Sequence, residues 1–308
     1  MKQCIIDMLQ CNMLRTMWHR LLHPFPDEAC YARFVAEMNK WSSNWGLKNS
    51  EWINPSGLGE NNVYSASTAN DLSLMALRAF VIVGGGDKMQ HHISKYELNI
   101  IKPYFIPGHR IKKKLIESTT PMSTIGYDFP ILSAKTGSGD GYQTLIMVCR
   151  IREFVVSGAI MNAEDEKGRF VAMNELMKIG YNILYKKDDA TLLQCKYARN
   201  ACLYVADKEG KQLTCIYAQN ADEKSAPMST TKMLTLSIAN KYLIDESKRV
   251  WIVPFDALCD NGSDTLHRWD CITIRDLKCA AMLTSSNVAA NVLARLVGEQ
   301  LLIQEKGQ

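Results

Sequence analysis

The sequence has ten cysteines but no C-x-x-C pair, so the usual spacing of a zinc site or a thioredoxin-type centre is missing. No apolar run approaches the roughly 18–20 residues that a membrane-crossing helix needs. Met1-Lys2 could open an export signal, but Asp7, Gln10, Asn12 and Arg15 interrupt any apolar stretch behind it, so no signal peptide is visible. Charge of one sign is also scarce. There are 36 basic and 32 acidic side chains, a net +4, which is too weak and too evenly spread for a nucleic-acid partner. The short run from Arg110 to Lys114 reads as solvated surface. Gly84-Gly85-Gly86-Asp87 lacks the Lys-Ser/Thr of a phosphate loop and reads as a connector. No internal repeat is present. What remains is a chain of 308 residues, 47% hydrophobic and 22% charged, with enough apolar sequence for a substantial core. Cys149, Cys202 and Cys215 fall in apolar runs, where a free thiol behaves as a small hydrophobe. This scatter fits reduced thiols better than a disulfide framework.

Hydrophobic spacing predicts helices over Cys4–Leu22, Asp27–Trp45, Ser67–Val83, Gly168–Tyr185, Ser229–Leu243, Thr273–Met282 and Val288–Gln304. Pro24 and Pro26 end the first, Gly46 ends the second, and Ser67 or Thr68 is a candidate N-cap for the third. Strands are expected over Leu98–Arg110, Ile131–Ala134, Thr144–Cys149, Phe154–Ile160 and Val250–Val253, and in a hairpin of Ala201–Ala206 with Gln212–Tyr217. Asn54 to Asn62 is turn-rich, Lys186 to Asp189 is a charged linker, and Asp256–Asp270 is a polar loop. The order implies an α+β fold: an antiparallel sheet flanked by helices.

Three short segments carry chemistry. In Ala226-Pro-Met-Ser-Thr-Thr-Lys232, Ser229 and Lys232 stand one helical turn apart on one face. A serine hydroxyl needs a base within hydrogen-bond reach, and a lysine can serve only if its pKa is depressed, which desolvation and a second nearby cation both do. The start of a helix also aims backbone N–H groups at a developing oxyanion. Thr284-Ser285-Ser286-Asn287 lies between two predicted helices. Ser285 can relay a proton and Asn287 can hold a substrate amide, though a helix N-cap often looks the same. Ser133-Ala-Lys135-Thr136-Gly137-Ser138 ends a predicted strand and offers a cation, a hydroxyl and a glycine that lets a ligand lie close. By composition, about one unrelated chain in ten of this length would contain Lys-Thr-Gly, so it decides nothing alone.

Together the three match the S-x-x-K, S-x-N and K-T-G set of the β-lactamases and penicillin-binding proteins. Flanking sequence resembles the low-molecular-mass D-alanyl-D-alanine carboxypeptidases: Asp207 to Leu213 and Asn220 to Lys232, Ile272 to Leu277, Phe34 to Lys40, Asn54 to Leu58, Ser65 to Leu74, and Arg169 through Tyr181. The resemblance covers most of 30–185 and 200–300 and is weakest over 85–130. The order differs from the family's, because here Lys135 precedes Ser229 and Asn287 stands near the end. Joining the end to the beginning restores the family order, with the family's usual termini bridged by about 185–200. This arrangement is a circular permutation, compatible with termini that lie together at a domain surface. The alternative is a gene sequence assembled in the wrong order; the linker and both ends read as structured sequence, which argues against it.

The resemblance implies a β-lactamase/transpeptidase-like α+β domain over 1–308, with a helical subdomain from about 257–308 plus 1–83 and a sheet subdomain over about 95–256. It implies that Ser229 is acylated and that Lys232 is its base, with Lys135 depressing the pKa of Lys232. Ser285 and Asn287 assist proton transfer and positioning, and Lys135, Thr136, Gly137, Ser138 and Arg169 form the substrate side. The backbone N–H groups of Ser229 and Ser138 form the oxyanion hole. It implies no metal and no cofactor, a peptidoglycan peptide ending in D-Ala-D-Ala as substrate, and β-lactams as inhibitors. It also implies a place outside the cytoplasm, at odds with the absent signal. Ser56 stands where the family has a histidine, the segment after Gly137 is short, and no Glu-x-x-Leu-Asn is present, so fast β-lactam turnover is not expected. Two other readings are an esterase or amidase of the same fold acting on a small molecule, and a non-catalytic binding relic.

Overall fold

A computed structural model describes residues 24–59, 63–82, 95–101, 111–119, 129–139, 141–207, 210, 212–259 and 264–307. The predicted helix Cys4–Leu22, the Gly84–Asp87 connector and the part of the predicted strand beyond 101 lie outside these. The described helices are α1 (Asp27–Trp45), α2 (Ala69–Ile82), α3 (Gly168–Tyr181), α4 (Lys232–Tyr242), α5 (Ile274–Leu283) and α6 (Asn287–Lys306). The strands are β1 (Lys95–Ile101), β2 (Ile111–Glu117), β3 (Ile131–Gly139), β4 (Tyr142–Ile151), β5 (Phe154–Ala163), β6 (Ala198–Ala206), β7 (Leu213–Gln219), β8 (Arg249–Trp251) and β9 (Cys271–Thr273).

The main sheet is antiparallel in the order β3-β4-β5-β6-β7. Both its faces are buried, which is why β4 reads as a continuous apolar run and not as an alternation. Leu145, Met147 and Cys149 join a core with α3, while Ile146 and Val148 join a larger one with α1, α2, α4, α5 and α6. Each such side chain contributes about 1.5–3 kcal/mol through burial. Among the described strands β3 lies at one edge of this sheet, with β4 as its one strand partner.

Several expected elements differ in extent. β3 runs on through Gly139, so Lys-Thr-Gly lies inside the strand instead of at its end. The 110–114 basic run is largely in a strand: β2 pairs with β1, its Lys112, Lys113 and Lys114 exposed. Hydrophobic alternation is hidden there by consecutive lysines. The β1–β2 hairpin does not extend the main sheet but pairs with β9, forming a second sheet in the order β2-β1-β9-β8. The helix read over 168–185 turns π-helical at Asn182–Lys186 and stops at Lys187, whose φ is 63°.

The two ends of the described chain meet. Arg33 Nε reaches Glu305 Oε1 at 2.7 Å, and the Lys306 ammonium lies 4.3 Å from the Phe25 ring centroid. The connection from α3 to β6 is tied down on both sides. The Cys195 amide donates to Tyr217 Oη and Gln219 Oε1, and the Lys196 amide donates to Glu175 Oε2.

Candidate active site

The Ser229 turn is built from local hydrogen bonds. Met228–Thr231 forms a 3-10 turn ahead of α4. In that geometry side chains at i and i+3 eclipse, and Lys232 Nζ comes within 3.0 Å of Ser229 Oγ. The hydroxyls of Thr230 and Thr231 donate to the carbonyls of Pro227 and Met228. Met228 has φ 51°, a left-handed conformation that costs a non-glycine residue about 1–3 kcal/mol.

Lys232 is fully buried and has three oxygen neighbours. Besides Ser229 Oγ, its Nζ donates to the Ser56 carbonyl at 2.6 Å and to Asn287 Oδ1 at 2.8 Å. These last two can only accept. A neutral lysine therefore keeps its two N–H bonds on them and turns its lone pair toward the serine hydroxyl. Burial pulls the Lys232 pKa down to about 7, and the Asp264 carboxylate opposes that fall. The carbonyl of Ser56 is aimed by Asn54, whose Oδ1 accepts from the amides of Ser56 and Gly57 and whose Nδ2 donates to the Leu58 carbonyl. Gly57 has φ +76°, and a Cβ there would stand 1.9 Å from the Met228 carbonyl oxygen, so the two loops meet only because it is glycine.

Ser286 is the N-cap of α6 and accepts from the Ala289 amide at 3.0 Å. The bland reading of Ser-x-Asn as a cap is thus true of its middle residue, while the flanking two face the lysines. Asn287 bonds Lys232, and Ser285, at φ 61°, accepts from Lys135 Nζ at 3.0 Å. Asp264, within the predicted polar loop, accepts from Ser286 Oγ at 2.8 Å and from the Val288 amide at 3.2 Å. No motif marks it.

Lys135 is 1% exposed and also donates to the Thr136 carbonyl at 2.9 Å. Its pKa is held well below the ordinary lysine value by burial first, then by repulsion from Lys232 and Arg169. The sequence expectation was that Lys135 depresses Lys232. Burial is the main cause of the low Lys232 pKa, and the repulsion between the two ammonium groups belongs to the pair. Thr136 Oγ1 lies 2.9 Å from Thr119 Oγ1, beside the second sheet. The buried guanidinium of Arg169 donates to the Gly137 carbonyl, to Ser138 Oγ and to Gln143 Oε1. Gly137 passes against the nucleophile turn: a Cβ there would stand 2.8 Å from the Pro227 oxygen and 3.3 Å from the Ser229 nitrogen. Ser229, Ser285, Asn287 and Ser138 keep access to solvent, whereas both lysines are closed off beneath them.

All nine residues singled out from sequence thus lie in one connected network or against it, drawn from β3, α3, the turn before α4 and the α5–α6 junction. Residues 29–164 match the family model of the S11 peptidases, described as D-alanyl-D-alanine carboxypeptidase. The matched segment is similar to that family and contains Lys135, Thr136, Gly137 and Ser138; Arg169, Ser229, Lys232, Ser285 and Asn287 lie outside it. No curated protein and no solved structure matches the chain. Among the described residues, no helix is long and apolar enough to cross a membrane.

Proposed function

We propose that this chain is a serine-type D-Ala-D-Ala carboxypeptidase that works through an acyl-enzyme. The observation that carries the reading is the 3.0 Å contact of Ser229 Oγ with a buried lysine whose pKa is near 7. At neutral pH about half of Lys232 is uncharged and can take the serine proton as the hydroxyl attacks the penultimate D-Ala carbonyl. The C–N bond to the last D-Ala then breaks, and its nitrogen receives a proton through Lys232 and Ser285. Water attacks the acyl-enzyme and releases Ser229. The N–H groups of Ser229 and Ser138 are the candidate oxyanion donors. Asn287 holds the substrate amide. Ser138 receives the terminal carboxylate, Thr136 and Arg169 support that edge from beneath it, and Lys135 contributes its field through Ser285 because it is buried behind it.

The same reading includes the circular permutation. Its support is the packing of residues 305 and 306 on the start of α1 and the tethered strap between α3 and β6. It treats 1–308 as one domain and assigns it a place outside the cytoplasm, where the peptide substrate is found.

A fluorescent penicillin should label the wild-type chain at Ser229, and Ser229→Ala should abolish labelling. Incubation with a peptide ending in D-Ala-D-Ala should release free D-alanine. Folded protein that takes no label and releases no D-alanine refutes the assignment. Hydrolysis of a small ester without D-alanine release would move it to an esterase.

A further inference from the structure

The cysteines differ sharply from one another. Burial raises the thiol pKa of Cys30, Cys149, Cys195, Cys259, Cys271 and Cys279. Cys202 and Cys215 form a pair. Cys202 is fully buried on β6, Cys215 is exposed on the edge strand β7, and their sulfurs are 3.7 Å apart. Their register explains the approach. Cys202 stands opposite Ala218 and Cys215 opposite Tyr204, a diagonal relation in which a regular ladder keeps side chains about 7 Å apart. The irregularity between Leu203 and Tyr204 leaves Ile216 without an opposite residue and draws the two cysteines together.

We propose that Cys202 and Cys215 form a reversible dithiol–disulfide site, in which exposed Cys215 attacks a small-molecule disulfide and buried Cys202 resolves the adduct. The thiols are matched to these roles. The hydrogen bond between the two sulfurs brings the Cys215 pKa down to about 7, while Cys202 is held well above the ordinary value. The thiolate of Cys215 is thus available at neutral pH, and the thiol that must act second stays protonated until the mixed disulfide sits beside it. In the first step the Cys215 sulfur bonds one sulfur of R–S–S–R, whose S–S bond breaks to release RS⁻. In the second, Cys202 gives up its proton and attacks the Cys215 sulfur, expelling the second RS⁻. Two protein thiols are oxidised by two electrons, the small disulfide is reduced, and the two thiol protons end on two RSH. The sulfurs must close from 3.7 Å to about 2.05 Å. The pairing depends on the strand irregularity and not on sequence spacing.

The test uses the full chain, reduced, desalted and exposed to oxidised glutathione, then acid-quenched, alkylated and mapped by peptide mass. The expected product is a linked Cys202–Cys215 peptide pair, a loss of about 2 Da, reversed by dithiothreitol. Cys202→Ala should instead retain one glutathione on Cys215, and Cys215→Ser should give neither product. Before oxidation, Cys215 should react with iodoacetamide at pH 7.5 at least about tenfold faster than the buried thiols. Glutathione that remains on wild-type Cys215 without an internal bond, linkage through other cysteines, or a Cys215 no faster than its neighbours would each overturn the proposal. Mapping of the wild-type chain decides the matter even if a variant fails to fold.

Discussion

The Lys232 environment makes a quantitative claim about pH. An ordinary lysine of pKa 10.5 is only about 0.03% neutral at pH 7. With the pKa drawn down to about 7 by burial, about half is neutral, a gain of roughly a thousandfold in free base. Between pH 6 and pH 8 the neutral fraction should rise from about 9% to about 91%. The second-order rate of Ser229 acylation by a fluorescent penicillin should therefore climb about tenfold over that interval and level off above it. Rapid-quench labelling from pH 5 to 9 measures it, with circular dichroism confirming the fold throughout. Stability must change in the same direction. Because the folded pKa lies below the unfolded 10.5, the unfolded chain binds the extra proton between about pH 7 and 10.5. Stability therefore rises with pH across that window, by up to about 5 kcal/mol from this group. Lys135, also depressed, adds in the same sense. Lys232→Met should abolish acylation and remove the Lys232 share of that slope. A flat acylation profile, or a rise that begins only near pH 10, would refute the reasoning.

Gly137→Ala places a Cβ 2.8 Å from the Pro227 oxygen; a shift of the serine by about 1 Å should cost roughly a hundredfold in acylation rate, and an unchanged rate would show that the turn can yield. Asp264→Asn removes the carboxylate that holds the Lys232 pKa up, so the acylation limb should move to lower pH, while loss of the charged acceptor for Ser286 should cost about 1.5–3 kcal/mol in urea denaturation. Arg169→Lys cannot keep the three-way contact to Gly137, Ser138 and Gln143 and should raise KM for a D-Ala-D-Ala peptide about tenfold or more in a D-alanine release assay. A chain opened within residues 187–197 and rejoined from Lys306 to Phe25 by a short glycine-serine linker should fold and take the penicillin label, since those ends already touch; failure to fold would count against the permutation.

Much of this site was legible because its parts are local patterns. Ser229 and Lys232 are one turn apart in any helical geometry, and Lys135 through Ser138 must lie along one strand. The caps were legible for the same reason: Thr68 accepts from the Asp71 amide, as its position before an apolar-periodic segment suggests. The fold class was legible from the succession of periods, but the second sheet was not. Strands are read near β1 and β8, but β2 has lysines at three successive positions and β9 is three residues long, too short to show any period, so their joining into one sheet is hidden.

What escaped the sequence shares one physical character. Lys232 is held by a backbone carbonyl, that of Ser56, and a carbonyl oxygen has no letter in a sequence. Its aim comes from Asn54 through Asx-type hydrogen bonds, and asparagine before Pro-Ser-Gly reads only as a turn. The extent of the pKa shift escaped for a related reason. Desolvation and a second cation are both expected to depress the base, but a sequence displays only the charges and not how completely the lysine is closed off. Desolvation has no residue of its own: it is the sum of everything that closes over Nζ, here α4, the Asn54 loop and the start of α6. The substitution that tests this idea therefore leaves every charge in place. Gly57→Ala drives a Cβ to 1.9 Å from the Met228 oxygen and forces the two loops apart. If water then reaches Lys232, its pKa should climb back toward 10.5 and the acylation limb should move to higher pH. A limb that stays near 7 in a folded Gly57→Ala protein would mean that something other than burial sets the base.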